Sequence, residues 1–413
     1  MKIIRLISRI IAGSVFVFSG FVKAVDPLGS AYKFHDYLQA FNIDVLQFLC
    51  LPLAIFLSTA EFISGFSVLT GYRQKNGIWG LFLLIILFTP LTFILAITNP
   101  VSDCGCFGDA IHLTNWQTFG KNIVLLVLII ILFAERKKVM TIFKPLTEWI
   151  LISLIVVSFV FFSLYNLRYL PIIDFLPYKI GANIPEKMKI PEGVSADKYL
   201  STFIYRKDGV NKEFTVNNYP ANDSAWKFIE QRSVLVKKGY EPPVHDFSIT
   251  GLDSEEITNG VLNDEGYTIL MISKKLSQAK MNHLVKGFEL GTWCLSQGFH
   301  FYVLTASGTD EIKNYDNGLQ FCLTDETTLK TIIRTNPGFV LLKNGTITGK
   351  WSWANLPALK WFNNDITGKQ LESFHNKNGL LIVVISVLSV SVLLLILCIL
   401  LKKKENIANL TKH

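Results

Sequence analysis

The sequence predicts a polytopic α-helical membrane protein that carries a large soluble region of mixed α/β character, and three observations predict it. Half of the 413 residues are hydrophobic and only 17% are charged, against about 25% charged in an ordinary soluble domain. The apolar residues are gathered into six runs, approaching the ~20 residues of helix that cross a ~30 Å hydrocarbon core. Basic residues cluster at alternate ends of those runs, as expected when short basic loops stay in the cytoplasm.

The six runs are residues 6–22, 45–68, 78–97, 119–133, 149–167 and 380–401. The fourth is short, so it must sit upright, extend past its apolar stretch or thin the bilayer. Lys2 and Arg5 precede the first run, Arg73 and Lys75 separate the second from the third, Arg136, Lys137 and Lys138 follow the fourth, and Lys402, Lys403 and Lys404 follow the last. All four clusters face the cytoplasm if the chain starts inside and every run crosses. That topology puts the loop after the first run, the loop carrying Cys104 and residues 168–379 outside. For a bacterial inner membrane the outside is the periplasm, and residues 402–413 become a basic cytoplasmic tail. The net charge of +8 is then a topology signal, and no nucleic-acid partner is expected. Residues 1–24 also have the basic start, apolar stretch and small residues of a secretory signal. Arg9 interrupts that stretch, however, and cleavage would leave an odd number of spans. Arg9 and the second run's Glu61 both count into the cytoplasmic half, where a lone charge costs at least ~2.5 kcal/mol. The two are therefore expected to pair, with Arg9 snorkelling to the headgroups as the alternative.

Between the fifth and sixth runs the chain has ordinary charge and turn signals. Residues 171–242 contain Tyr178-Lys179-Ile180-Gly181 and β-type runs at 202–205 and 213–216, separated by the turn Lys207-Asp208-Gly209, which predicts a small β-rich module. Residues 243–375 read as strand 267–273, helix 278–296, strand 299–305, strand 320–324, helix 326–334, and a hairpin of 339–343 with 346–351 around Asn344-Gly345. That order is an α/β sandwich. Asp246-Phe247-Ser248-Ile249 and Asn336-Pro337-Gly338 resemble the entry strand and the cis-proline of the thioredoxin fold, in its TlpA- and peroxiredoxin-like branch. The resemblance implies a cis bond before Pro337. It departs at the end of the first strand, where that family places Cys-x-x-Cys and this chain has Ser273-Lys274-Lys275-Leu276. A thioredoxin-like fold without thioredoxin chemistry is expected. Cys294 and Cys322 read as small buried apolar residues, with a structural disulfide between them as the alternative.

Two motifs lie in the membrane part: Ser19-Gly20-Phe21-Val22-Lys23-Ala24-Val25-Asp26-Pro27-Leu28-Gly29, and Asp103-Cys104-Gly105-Cys106-Phe107-Gly108-Asp109. Two thiols separated by one residue close a small ring that Gly105 permits. Such a strained disulfide is labile and oxidising, which suits electron transfer better than bracing. In an oxidising compartment the resting state is expected to be the Cys104–Cys106 disulfide. Lys23, Asp26 and His112 fall at the same outer level, and Lys23 or His112 is placed to stabilise a thiolate. Two alternatives stay open. The disulfide merely staples the loop, or Cys104, Cys106, His112 and a carboxylate of Asp103 or Asp109 ligate a metal. Cys50 and Cys398 read as apolar filler within spans.

The two motifs, with the spans between them, resemble the DoxX and MauE group of four-helix membrane proteins over residues 1–140. Residues 141–170 then add a fifth transmembrane helix and residues 379–401 a sixth. The whole chain resembles DoxX/MauE-type proteins of Bacteroidetes with a carboxy-terminal, degenerate thioredoxin-like extension. By analogy with methylamine utilisation, where MauE is associated with making a disulfide-rich dehydrogenase, the resemblance implies thiol–disulfide chemistry. One reading is a membrane thiol–disulfide oxidoreductase or its accessory, acting through Cys104 and Cys106 on an extracytoplasmic thiol or disulfide client. The other is a non-catalytic assembly factor with structural cysteines. Partners are thus the lipid bilayer and a client protein. No cofactor is identified, and although a lipid quinone is chemically admissible as electron partner, no residue pattern marks a site for one.

Overall fold

The computed structural model describes residues 2–101, 103–138, 145–195, 198–207, 210–215, 225–237, 239–315 and 317–356. The membrane part comprises α1 (Lys2–Val25), α2 (Pro27–Ala40), α3 (Cys50–Thr70), α4 (Gln74–Thr98), α5 (Asn115–Ala134) and α6 (Pro145–Tyr169). Among the described residues, five helical segments are long and apolar enough to cross a membrane: Ile3–Val25, Asp44–Thr70, Gln74–Thr98, Asn115–Ala134 and Glu148–Tyr169. They coincide with the first five apolar runs. The sixth run, Cys398 and the basic tail lie outside the described residues.

Helices α1, α3, α4 and α5 close into a bundle, with α6 leaning on α1 and α3. The α1–α3 crossing is close because small residues line it. A Cβ on Gly20 would stand 2.6 Å from the Ser58 carbonyl oxygen, and one on Gly65 would stand 2.8 Å from the Gly13 carbonyl oxygen. Phe16, Leu57, Leu81, Ile85, Leu125 and Ile129 fill the seam, while Leu6, Phe56, Leu83 and Val127 point outward, as lipid requires.

Three findings bear on the expectations. First, the fourth span extends past its apolar run of 119–133, one of the three ways such a short run could cross, and is a helix of 20 residues. It begins at a capping box, in which Thr114 Oγ1 accepts from the Gln117 amide (3.3 Å) and Gln117 Oε1 accepts from the Thr114 amide (3.0 Å). Its polar first turns face inward: Asn115 donates to Asn99 Oδ1 (2.8 Å) and Asn122 to Thr92 Oγ1 (3.1 Å). Secondly, α2 is a helix where a loop stood between the first two spans. Asp26 caps it by accepting from the Gly29 amide (2.8 Å), and Pro27 opens it. Thirdly, Arg9 does not pair with Glu61. It donates to the carbonyls of Val68 (3.1 Å) and Leu69 (3.3 Å), which end α3 without helical partners. Glu61 is taken by Lys23 instead. Side chains lean toward a helix's N-terminus, so Lys23 reaches back along α1 past Ser19 (3.2 Å) to meet it.

Beyond the bundle come α7 (Ile184–Met188) and an antiparallel sheet of β1 (Lys198–Lys207), β2 (Val210–Thr215) and β3 (Lys227–Lys237), ordered β2-β1-β3. The third strand was not foreseen. There follow β4 (Thr250–Gly251), α8 (Thr258–Leu262), β5 (Tyr267–Ile272), α9 (Met281–Ser296), β6 (His300–Thr305), α10 (Thr309–Ile312), β7 (Gln320–Leu323), α11 (Glu326–Ile332), β8 (Gly338–Lys343) and β9 (Thr346–Ser352). They form a six-stranded mixed sheet ordered β4-β7-β6-β5-β8-β9. The pairs β5/β6 and β6/β7 are parallel, and β5/β8 and β8/β9 antiparallel. The Asn336–Pro337 bond is cis.

The sheet buries apolar side chains on both faces, one cluster containing Ile249, Leu304 and Cys322, the other Leu284, Phe301 and Cys294. The two cysteines therefore sit on opposite faces as free thiols, and the alternative of a disulfide between them fails. The boundary at 242/243 also changes. Leu170, Tyr178 and Ile184 share a core with Phe247 and Ile249, and the backbone of residues 181–184 bonds to β9 and its turn, the Gly181 amide to the Ile347 carbonyl (2.8 Å) and the Ile184 amide to that of Gly345 (2.9 Å). This stretch belongs by packing to the larger sheet, since its few apolar residues cover an edge strand far ahead in sequence.

Candidate functional site: a cysteine loop under a docked domain

The loop joining α4 to α5 carries both cysteines. Gly105 has φ +63°, and a Cβ there would stand 2.9 Å from Lys33 Cγ, so this position needs glycine on both counts. The resulting turn brings Cys104 Sγ to 2.9 Å from Cys106 Sγ, and both are thiols. The turn thus sets the two sulfurs side by side, within reach of the disulfide expected at rest.

Short polar contacts from α1 and α2 fix the loop. Tyr37 Oη donates to the Cys104 carbonyl, Ser19 Oγ lies 2.7 Å from the Cys106 carbonyl, and Lys33 Nζ pairs with Asp103. Phe107 packs on Phe18, ring centroids 5.5 Å apart, and holds the Lys121 ammonium over its face at 4.4 Å. Lys23 Nζ stands 2.6 Å and 2.9 Å from the two Glu61 oxygens, with both side chains almost fully buried. This ion pair, Ser19, Cys106, Lys121 and Asn122 line one cleft between α1, α3, α4 and α5.

The two thiols are not equivalent. The hydrogen bond with Cys104, then the Lys121 and Lys23 ammoniums, outweigh burial and bring Cys106 down to about 6. The same hydrogen bond and burial push Cys104 well above the usual thiol range. The reduced pair is therefore a Cys106 thiolate accepting a hydrogen bond from the Cys104 thiol. Burial would raise Asp103, but hydrogen bonds from His112 and Lys33 prevail and hold it at about 2. His112 is raised in turn, chiefly by that hydrogen bond.

Of the residues singled out in the sequence, Cys104, Cys106 and Lys23 come together. His112 does not join them; it is exposed and its Nδ1 lies 3.4 Å from Asp103 Oδ2. Among the described residues no three His, Cys, Asp or Glu side chains form a group that would hold a metal ion. Asp103 is bound to cations, and Asp109, the other carboxylate considered as a ligand, lies 2.6 Å from Arg334. Lys121 was overlooked, although a charge inside an apolar run is a signal in itself.

Arg334 belongs to the soluble domain, in the turn before Pro337. Its Nε donates to Asp26 Oδ2 (2.7 Å), its Nη2 to Asp109 Oδ2 (2.6 Å) and its Nη1 to the Lys330 carbonyl (2.6 Å). Beside it, Lys274 Nζ donates to Tyr32 Oη of α2 at 2.8 Å. The ends of β5 and of the turn before β8 thus rest on the same face of the bundle as the cysteine loop.

Residues 1–135 match the family model of the methylamine utilisation protein MauE. The MauE match covers α1–α5 and the whole cysteine loop, so this part of the chain is similar to that family, and with the five apolar helices it supports a multi-pass membrane protein of that type. Helix α6 and the larger sheet lie beyond it. Residues 199–238, the three-stranded sheet, match a domain of unknown function (DUF8463). Neither a curated protein nor a solved structure matches the chain.

Proposed function

We propose that this MauE-type membrane accessory protein performs thiol–disulfide exchange through Cys104 and Cys106, oxidising a dithiol client on the outer face of the membrane. The observation that carries the reading is the geometry of the pair: the sulfurs stand 2.9 Å apart, and in the reduced form the hydrogen bond with Cys104 and the Lys121 and Lys23 ammoniums favour a Cys106 thiolate. A stabilised reduced form makes the corresponding disulfide oxidising, and the sulfur of lower pKa leaves faster. In the oxidised protein a client thiolate attacks Cys104 Sγ, the S–S bond breaks, and its electron pair leaves on Cys106 as a thiolate. The client's second thiolate then attacks its own sulfur in the mixed disulfide. Cys104 departs with that bond's electron pair and takes up a proton. The client loses two electrons and the cysteine pair gains them.

The basic clusters support an outer position for the loop and the soluble domain. The strand order of the larger sheet supports a thioredoxin-like reading of that domain, and Ser273-Lys274-Lys275-Leu276 leaves it without the usual thiols. That absence favours a second reading, a non-catalytic assembly factor whose soluble domain binds a partner.

The test uses the full chain. In the oxidised wild type, the Cys104–Cys106 disulfide is expected to be reduced by millimolar glutathione, unlike structural disulfides below about −300 mV. In cells, the Cys104 thiol of Cys106→Ser, attacking the disulfide of an already oxidised client in the reverse of the second step, is expected to accumulate mixed disulfides that dithiothreitol releases. A disulfide that glutathione leaves intact, with no adduct on Cys104, would give the assembly role its place.

A further inference from the structure

We propose that Arg334 is a positioning residue for the cysteine pair: by gripping Asp26 and Asp109 together, the soluble domain holds the cysteine loop in its working conformation on the bundle. The inference rests on the exchange function proposed above and gives the soluble domain a part in it.

Asp26 is the cap of α2, three residues beyond Lys23, and Asp109 lies three residues beyond Cys106. One guanidinium bonds both, and its side chain is only 8% exposed in this place. Arg suits the task because its donors form a rigid fork. The grip is tight on the bundle side as well, since a Cβ on Gly29 would stand 3.0 Å from Arg334 Nη2. From α2 the constraint continues to the cysteines through Lys33 to Asp103 and Tyr37 to the Cys104 carbonyl. The loop is thus tied at one end by α2 and at the other by Arg334.

The Tyr32 ring fills the space beside the clamp. It faces the ammoniums of Lys274 (5.3 Å) and Lys330 (5.2 Å) and the Arg334 guanidinium (5.6 Å). The end of the soluble domain where a thioredoxin would carry its cysteines is thereby engaged with the membrane part. Its place in the protein is that of a clamp on another pair of thiols.

The experiment follows the pH profile of iodoacetamide alkylation at Cys106, read by mass spectrometry on the reduced, full-length protein in nanodiscs. The groups facing Cys106 are Cys104, Lys121, Lys23 and Glu61, and all are retained in the variants. Wild type should alkylate with a midpoint near 6, Arg334→Gln with a midpoint at least one pH unit higher, and Arg334→Lys in between. Asp109→Asn separates position from field. Removing a nearby negative charge lowers a thiol's midpoint by field alone, whereas a loosened loop raises it toward the ordinary thiol value of about 8.5. A rise in Asp109→Asn supports the clamp, and it stands even if Arg334→Gln fails to fold. Midpoints unchanged from wild type in both variants, or lowered in Asp109→Asn, overturn it. A wild-type midpoint near 8.5 would instead sink the exchange function, whatever the variants do.

Discussion

The chain holds two pairs of cysteines in opposite circumstances. Cys294 and Cys322 are completely buried on the two faces of the larger sheet, among Leu284, Phe301, Ile249 and Leu304, and burial pushes their thiols up to about 12 and about 11. Cys104 and Cys106 sit in a loop among Lys23, Lys121, Lys33 and Tyr37, and Cys106 comes down to about 6. Burial acts on both pairs in the same direction. What separates Cys106 from the buried pair is a neighbouring donor and two ammoniums, which stabilise negative sulfur where a wall of methyl groups cannot.

The largest effect that would break this comparison is one of reactivity. At pH 7 the folded, reduced protein should alkylate at Cys106 at least a hundredfold faster than at Cys294 or Cys322, followed by peptide mass spectrometry. Comparable rates would mean that the polar surroundings of the loop do not govern its chemistry. Next in size is the ion pair beneath the loop. Leaving one member of a buried pair alone costs about 3–5 kcal/mol, whereas replacing both is often close to neutral. Lys23→Met and Glu61→Gln should each lower the unfolding midpoint in detergent sharply, and the double variant should recover most of the loss. If the double variant is as unstable as the singles combined, the two residues act separately.

What could be read from the sequence follows the same division between apolar and polar constraint. Lipid imposes a length on each span and a core imposes alternation on each strand, so five spans and every strand from β5 to β9 fall within a few residues of their expected places. Polar residues obey partners rather than periods. The first turn of α5 reads as loop because Asn115 and Thr118 are polar, yet both are buried, and Asn115 donates to Asn99. Helix α2 mixes Lys33, His35 and Asp36 with apolar residues and has no clean apolar stripe. The cysteine pair was visible from its spacing. Lys23 was recognised, but its match to Glu61 depended on a lean of one helical turn that counting from span ends does not capture. Arg334 and Asp26 are 308 positions apart, and no local pattern joins them.

The smallest effect concerns two cations at the docking surface. Arg334 is bound to two carboxylates, which outweigh its burial and hold its charge. Lys274 is buried with the Tyr32 hydroxyl as its hydrogen-bond partner, and burial, then the nearby Arg334, bring it down to about 7 from an ordinary 10.5. Between those values the undocked lysine binds a proton that the docked one does not, so docking strengthens as pH rises through that window. Below about pH 7 both forms are protonated and the dependence ends. The slope is at most about 1.4 kcal/mol per pH unit. It should be read between pH 7 and 9, below the ordinary value of Tyr32, which burial raises further. Fluorophores at Phe41 and Asp310, both exposed, would report urea-induced undocking in a Cys104→Ser, Cys106→Ser background, where thiol titration cannot contribute. The urea midpoint should climb over this range in the otherwise native chain and stay level in Lys274→Met. A level midpoint with Lys274 present would mean that this lysine keeps its proton when docked, and that the two cations are held alike.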